Sequence, residues 1–343
     1  MPNRLKLREI AALANVSPAA VSLVYKGRPG VGSQKRKEIS DLLIQNGYAV
    51  SPLSAPVQGS IRLIKYIKHS YLVDGNTGFV SAIIDSVEQA CRLLGYDLLI
   101  TTVTSSNLTE TLQMLRQSPP DGVLLLGTEM DGTDFPAFQA LACPLVVVDN
   151  PMENEMVSSV TMDNRGAIYE SVRYLRALGH RRIGFLSNEI PSSNCRCRER
   201  AFVQAMQDEG ISGGSAPVFP VLPTLMGAYS TVRRYLEQGV LFPPAVIANN
   251  DCIALGAAKA FKENGLRIPE DVSLIGFDGI QFSEISEPPL TTIQVPCREI
   301  GTAALKLLRR HIEDADFIPR KVLLTAKLTE RESTARLKTG GSQ

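Results

Sequence analysis

Three polar residues of this chain, Asp149, Asn250 and Asp278, stand at or just after the ends of apolar, strand-like runs. Arg198 follows another such run at a short distance along the chain. A polar small molecule is bound by a few fixed hydrogen-bonding groups in a cleft whose walls are otherwise apolar. The placement of these four residues therefore predicts a binding site for a small polar ligand.

Some of the candidate residues also have structural interpretations. Asp251 is expected to cap the helix that begins there, and Asp149 would cap a turn. Cys195 and Cys197 supply only two of the four ligands of a structural zinc site, and no neighbouring Cys or His completes it. They are interpreted as free thiols, and His180 as a structural hydrogen-bonding residue. We expect no metal site.

From Ile61 onward, strand-like runs alternate with helical patterns. This alternation predicts parallel sheets covered by helices on both faces, and about ten such units favour two lobes. Ligands bind outside the carboxyl ends of the strands in such folds, where the polar residues stand. Strands are predicted at 61–67, 96–103, 122–127, 145–149, 183–187, 245–248 and 273–277, and helices at 79–94, 109–117, 164–178, 198–209, 228–238 and 251–264.

Charge is distributed unevenly along the 343 residues, whose net charge is +1. Residues 1–50 carry eight Lys and Arg against three acidic residues, a net charge of +5, and the remainder carries 28 against 32. A small basic segment on a neutral body is typical of a polyanion-binding protein. No run approaches the roughly 20 apolar residues that span a bilayer, and the N-terminus lacks a secretory pattern. With six scattered cysteines, these features predict a cytoplasmic protein.

The basic segment has the pattern of three short helices. The first begins near Leu5–Leu7, and the second runs from Pro18 to about Tyr25 with Ser17 as its N-cap. The third extends roughly over 33–46 and stops at Gly47. Short helices joined by tight turns, with a net positive charge, predict a helix-turn-helix unit that places its second helix in the major groove of DNA.

This segment, REIAALANVSPAAVSLVYKGRPGV, resembles the DNA-binding head of the LacI (lactose repressor) family. The family pattern is roughly D-V-A-x-x-A-G-V-S-x-x-T-V-S-R-V-L-N. The resemblance places Pro18, Ala19 and Leu23 on the base-reading face. Their apolar side chains pack on thymine methyl groups and cannot form bidentate hydrogen bonds with bases. Contacts that position the DNA backbone are expected from Lys6, Ser17, Ser22, Lys26, Lys35 and Arg36.

Residues 51–60 have the composition of a linker between the head and the body. The resemblance implies a short hinge helix here, with Val57 in the place of a leucine that wedges between base pairs in the minor groove. Pro56 would remove a helical hydrogen bond and clash with the preceding turn. An extended, stiff connector is therefore the preferred interpretation, although Val57 is retained as a candidate DNA contact.

The body resembles the effector-binding core of the same family, which is related to periplasmic sugar-binding proteins. The resemblance implies an all-α head at 1–50, a linker at 51–60 and a two-lobed α/β core at 61–338. One lobe would comprise 61–164 and 294–324, and the other 165–293 and 325–338. The matching segments are GYDLLI (95–100), PDGVLLLG (120–127), 160–186, 247–278 and EPPLTTIQVP (287–296).

The resemblance also implies roles for the candidate ligand residues. The two aspartates, Asp149 and Asp278, would hold hydroxyl or amine groups, and Arg198 would bind ring oxygens. Asn250 belongs to the same set, and Phe79 would form an aromatic wall. The loop 68–78 is longer than the usual family version and is expected over the cleft entrance, so sugars, nucleosides and other metabolites stay open as ligands.

Together these features predict a sequence-specific DNA-binding transcriptional regulator, a repressor, that acts as a homodimer and responds to a small effector. Its predicted partners are double-stranded operator DNA and a sugar or other metabolite, with no cofactor and no membrane. A plain sugar-binding protein is disfavoured by the basic head and the missing signal peptide. An enzyme is disfavoured because no G-x-G-x-x-G after a strand, no P-loop and no G-x-S-x-G occurs.

Overall fold

The computed structural model describes residues 5–26, 31–48, 59–190, 192–211 and 216–337. The chain divides into two compact units, one of residues 1–62 with 88–99 and one of residues 63–87 with 100–343. Across the described ranges, no single helix is long and apolar enough to span a membrane. The pair Leu7–Leu13 and Pro18–Tyr25 reaches that length and composition only jointly, across a bend of 111°.

The N-terminal unit contains the three predicted helices, α1 (Leu7–Leu13), α2 (Pro18–Tyr25) and α3 (Ser33–Gln45). The Ser17 hydroxyl accepts a hydrogen bond from the backbone N–H of Ala20 at 3.2 Å, and Pro18 occupies the first helical position. The helices bury one apolar cluster, which orients them as a unit. Its fully buried members are Ile10, Ala11, Ala14, Val21, Val24, Ile39 and Leu43.

The rest of the chain alternates strands and helices. The strands are β1 (Gly59–Ile67), β2 (Tyr96–Thr104), β3 (Gly122–Leu126), β4 (Leu145–Val148), β5 (Ser158–Met162), β6 (Ile183–Asn188), β7 (Val218–Val221), β8 (Ala245–Ala248), β9 (Ser273–Asp278), β10 (Thr291–Gln294), β11 (Lys321–Leu324) and β12 (Lys327–Thr329). The helices are α4 (Thr77–Leu94), α5 (Leu108–Gln117), α6 (Phe135–Gln139), α7 (Asn164–Ala177), α8 (Ser193–Asp208), α9 (Leu225–Glu237), α10 (Asp251–Glu263), α11 (Gln281–Ile285) and α12 (Cys297–Glu313).

These strands form two six-stranded sheets. The first has the order β11-β5-β4-β3-β1-β2 and the second the order β12-β10-β9-β8-β6-β7. Pairing is parallel from β3 to β4, β5 and β11, and from β7 through β6, β8 and β9 to β10. Only the short edge strand β12 runs antiparallel to its neighbour among the pairings described. Both sheets are completed by the last strands of the chain. After β10 the chain passes through α12, adds β11 to the first sheet and then adds β12 to the second.

The burial of the central strands explains why they could be predicted from the sequence. Every residue of β3, β6, β8 and β9 is buried, as expected for parallel strands covered on both faces. Helix α12 packs across β3, β4, β5 and β11 through an apolar face that includes Ile300, Ala304 and Leu308. Because the central strands pair in parallel, their carboxyl ends lie at the same edge of each sheet.

Several boundaries differ from the sequence-based predictions. Helix α8 begins at Ser193 and not at Arg198, because the Ser192 hydroxyl accepts the Cys195 backbone N–H at 3.3 Å and starts the helix a turn earlier. The prediction that Asp251 caps α10 is wrong, since Asn250 is the N-cap. Of the predicted linker, 51–58 lie outside the described residues, while Gly59 and Ser60 belong to β1.

Candidate functional site

The five ligand residues predicted from the sequence line a single buried cavity. Phe79, Asp149, Arg198, Asn250 and Asp278 are each between 1% and 5% exposed. They come from the start of α4, the ends of β4 and β9, helix α8 and the cap of α10, so both sheets contribute. Residues that were not predicted as ligand contacts complete the lining: Leu72, Asn76, Thr128, Ser192, Asn194, Cys195 and Asn249.

The two cavity carboxylates stand on unusual backbone. Asp149 has φ 59° and Asp278 has φ 114°, in the region that side chains with a Cβ rarely adopt. Such conformations cost on the order of 1–3 kcal/mol each and concentrate at binding and catalytic sites. The strand ends thus hold both carboxyl groups in orientations that an ordinary strand exit would not give.

Arg198 is a buried cation that joins both sides of the cavity. Its Nε donates to Asn164 Oδ1 at 2.7 Å and its Nη1 donates to the Asn249 carbonyl oxygen at 2.6 Å. The guanidinium lies 3.5 Å from the ring centroid of Phe277 and 3.8 Å from Asp278 Oδ1. Stacking and two short hydrogen bonds fix its plane, which is the condition for binding a ligand's oxygen atoms with a defined geometry.

Asp149 is held by a chain of amide and hydroxyl groups. Thr128 Oγ1 donates to Asp149 Oδ2 at 2.6 Å, and Asn194 Nδ2 donates to Asp149 Oδ1 at 2.9 Å. Asn194 in turn accepts from Asn164 Nδ2 at 2.9 Å, and Asn164 accepts from Arg198. This continuous network connects the carboxylate to the guanidinium through the side chains of Asn194 and Asn164.

Two consecutive asparagines after β8 have different roles. Asn250 Oδ1 accepts the Ile253 backbone N–H at 2.8 Å and so caps α10. Asn249 Nδ2 is buried without a hydrogen-bond partner among the described residues, although Asn249 lines the cavity. A buried amide donor without a partner costs about 1–3 kcal/mol, which a ligand oxygen would recover.

Burial dominates the acid–base behaviour of the site. It raises the pKa of Asp278 to about 8, against the opposing charge of Arg198. It also raises the pKa of Asp149 to about 6, with Thr128 and Arg198 opposing. Asp251 accepts from Thr292 Oγ1 at 2.5 Å and from the Ile280 backbone N–H at 2.9 Å, and burial raises its pKa to about 6. Asp278 is therefore largely a neutral acid at pH 7.

Protein stability should fall as the pH rises from 7 to 8. Unfolded Asp278 ionises near pH 4, whereas the folded residue holds its proton until about pH 8. The folded state then binds more protons, and the free energy of unfolding decreases by at most about 1.4 kcal/mol per pH unit. Urea titrations at pH 7, 8 and 9 measure the slope. Asp278→Asn should flatten it between pH 7 and 8, and equal slopes in both proteins would contradict the assignment.

The cavity is small relative to a ligand. Its free volume is about 30 Å³. This is room for roughly two waters. A sugar-sized ligand would therefore have to replace contacts made between the lining residues, such as Asn76 Nδ2 to Asp278 Oδ2 at 2.5 Å.

Other chemistry-bearing residues have structural partners. His180 Nε2 lies 3.0 Å from the Ala335 carbonyl oxygen, in accord with its interpretation as a structural hydrogen-bonding residue. All six cysteines are free thiols. Within the described part of the chain, no group of three or more His, Cys, Asp or Glu side chains is arranged to hold a metal ion.

The predicted DNA-contacting residues lie on the N-terminal helices. Ser17, Pro18, Ala19 and Lys26 are exposed along or beside α2, and Ser22 and Leu23 are half-buried. The side chain of Lys6 is also exposed, and the Lys6 backbone N–H donates to Glu9 Oε2 at 2.6 Å.

Two of the predicted phosphate contacts differ from the others, because one is ion-paired and the other is buried. Lys35 forms an ion pair with Glu38 at 2.9 Å, and Arg36 is only 8% exposed. Arg36 therefore presents little surface to a polyanion, although the sequence analysis predicted that it contacts the DNA backbone. Val57 lies outside the described residues.

The fold and the two sites define a class of protein: a helix-turn-helix head joined to a core with two parallel sheets and a buried polar cavity. A family model described as a periplasmic binding protein-like domain matches residues 172–334. The repressor CytR of Escherichia coli K12 is 30% identical over 335 residues, which cover 96% of each chain. The chain belongs to the LacI family of transcriptional regulators.

Two solved structures share the architecture. The structure of the transcriptional regulator CelR in complex with cellobiose has a TM-score of 0.72 and 25% identity, and the match covers 96% of this chain and all of that one. A LacI family regulator from Enterococcus faecium with bound ribose has a TM-score of 0.69 and 25% identity, covering 81% of this chain and all of that one.

Proposed function

We propose that this chain is a cytoplasmic transcriptional repressor whose affinity for operator DNA depends on a sugar or related metabolite bound in the core cavity. The observation that carries the proposal is the cavity that gathers Asp149, Arg198 and Asp278 in a chain that also has a helix-turn-helix head. The similarity to the repressor CytR, and to solved regulators with bound cellobiose or ribose, supports the proposal. The protein works without a cofactor and is not an enzyme.

The cavity chemistry suits a compact polyhydroxylated ligand. Asp149 and Asp278 would accept hydrogen bonds from hydroxyl groups, and Arg198 would donate to ring or hydroxyl oxygens. The unpartnered Asn249 amide would supply a further donor. Phe79 would cover an apolar ring face. These bonds would replace those that the lining residues make to each other, so binding would repack the two sides of the cavity.

On the DNA side, the head at 1–50 would place α2 in the major groove. Pro18, Ala19 and Leu23 would contact base methyl groups, while the hydroxyl and lysine side chains would bind phosphates. The segment 51–60, including Val57, would connect the head to the core at 61–338. Two copies of the chain would pair, so that two heads read the two halves of one operator.

Selection of bound duplexes from a random DNA pool by the purified full-length protein tests this proposal. We expect enrichment of a two-fold symmetric site whose half-sites are about one helical turn apart, with affinity that decreases steeply as salt rises. The selection is run without ligand and in the presence of D-ribose, D-glucose and cellobiose. Absence of enrichment under all these conditions would contradict a DNA-binding function and leave a plain sugar-binding protein.

A further inference from the structure

A buried glutamate, Glu129, stands just beyond β3 and is 3% exposed. Its carboxylate accepts five backbone N–H groups from residues 68–73, a stretch of the loop between β1 and α4. Oε2 accepts from Lys68, His69 and Ser70 at 2.8, 2.7 and 3.1 Å. Oε1 accepts from Leu72 and Val73 at 2.8 and 3.0 Å.

A carboxylate that accepts this many N–H groups fixes the backbone around it, and the N–H groups of Leu72 and Val73 would otherwise be buried without this partner. The Lys68 ammonium is held separately, by Asp131 at 2.8 Å and Asp134 at 2.9 Å. Residues 68–76, called here the cavity loop, are therefore held in one conformation from the side of the first sheet.

The cavity loop also reaches the elements of the second sheet. Asn76 Nδ2 donates to Asp278 Oδ2 at 2.5 Å, and Cys252 Sγ lies 3.5 Å from the Gly75 carbonyl oxygen. A Cβ on Gly75 would lie 2.1 Å from the Tyr71 carbonyl oxygen and 3.0 Å from Thr224 Cγ2, so this position accepts only glycine without a shift of the loop. The cavity loop therefore packs closely against Glu129 on one side and against elements of the second sheet on the other.

Two loop side chains, Leu72 and Asn76, form part of the cavity lining, and each is 6% exposed. Thr128, the residue before Glu129, donates to Asp149 on the other side of the cavity. The end of β3 therefore fixes both a cavity carboxylate and the loop that faces it. A change at Glu129 would therefore act on the ligand through this wall, since Glu129 is not itself part of the cavity lining.

We propose that Glu129 is a positioning residue for effector recognition. It holds the cavity loop so that Leu72 and Asn76 form a rigid wall, and because the cavity that this wall bounds is small, the wall admits only single-ring ligands. The inference rests on the proposed function, since it concerns the ligand of the same cavity. Glu129 itself does not touch the ligand.

Glu129→Gln in the full-length protein tests the proposal, because the amide keeps the size of the side chain but presents an N–H₂ group to backbone donors. Hydrogen exchange of the backbone amides of 68–73 should accelerate about 10-fold or more. Calorimetric affinity for D-ribose should fall about 10-fold, whereas affinity for cellobiose, which the intact wall excludes, should rise. A general loss of stability would lower both affinities together and leave their ratio unchanged.

Gly75→Ala is the second variant, since its Cβ displaces the same loop without touching Glu129, and it should reduce the same affinity ratio. Glu170→Gln, an exposed residue of α7, is the control for the charge change and should alter neither readout. Unchanged amide exchange in Glu129→Gln, or faster exchange with an unchanged affinity ratio in both variants, would overturn the proposal. If the wild-type protein binds neither sugar, the proposed sugar effector and the single-ring restriction both fail, and exchange alone then decides whether Glu129 holds the loop.

Discussion

The Arg198→Leu variant should lose effector affinity by about 100-fold or more, which corresponds to about 3 kcal/mol. Arg198 supplies the only cation in the cavity lining described, and its guanidinium is fixed by Asn164, the Asn249 carbonyl and the Phe277 ring. Leucine has a similar apolar stem but no donors. Isothermal titration with the sugar that wild-type protein binds measures the loss.

Stability should also decrease in this variant, by about 1–3 kcal/mol, because Asn164 Oδ1 and the Asn249 carbonyl oxygen lose a buried donor. Asp278 contributes less to this loss, since its raised pKa already keeps it largely neutral. Arg196→Leu, two residues earlier on the same helix and exposed, is the matched control and should bind as wild type. Full effector affinity in Arg198→Leu would place the ligand elsewhere.

The Ala19→Glu variant should lose operator affinity by about 100-fold while retaining effector affinity. Ala19 is exposed at the second position of α2, where a carboxylate is compatible with the helix dipole and does not disturb the core. On DNA the same carboxylate would be buried in the major groove between two rows of phosphates, and like-charge placement costs several kcal/mol over two heads. Fluorescence anisotropy with the selected duplex measures the change.

Gln113→Glu adds the same charge at an exposed position of α5 in the core and is the control for net charge. It should bind the operator nearly as wild type does. Equal affinity of Ala19→Glu and Gln113→Glu for the operator would mean that α2 does not lie against the DNA.

The sequence predicted the central part of the core well, for a physical reason. Strands such as β3 and β8 are continuous apolar runs, so the end of each strand and the polar residues that follow it can be located in the sequence. Asp149, Asn250 and Asp278 were found in this way. Arg198 was predicted from its place after the run 183–187, whereas Phe79, at the start of a helix, depended on the family resemblance.

The edges of the sheets were harder to predict. Strand β7 contains Pro220, which is tolerated because the strand lies at a sheet edge. Strands β11 and β12 are three or four residues long and half-exposed, so they lack a strong apolar pattern. Helix α12 has a regular apolar face and could have been predicted from its periodicity, but it follows a short strand that was also missed.

Several residues in and around the cavity that the sequence did not indicate are asparagines. Asn76, Asn164 and Asn194 lie on a loop and at two helix starts, where asparagine is common for local reasons. Only the tertiary fold brings them together around Arg198 and the two aspartates. Glu129 had no local signal either, because its five partners are backbone groups about 60 residues earlier in the chain.

The measurement that tests the central claim most directly is operator affinity of the full-length protein as a function of effector concentration. We expect the dissociation constant of the selected duplex to change about 5- to 150-fold on saturation with the bound sugar, and the operator to change sugar affinity by the same factor. Arg198→Leu should remove this dependence and keep DNA binding. An operator affinity that does not respond to a sugar bound tightly in the core would contradict ligand-dependent repression.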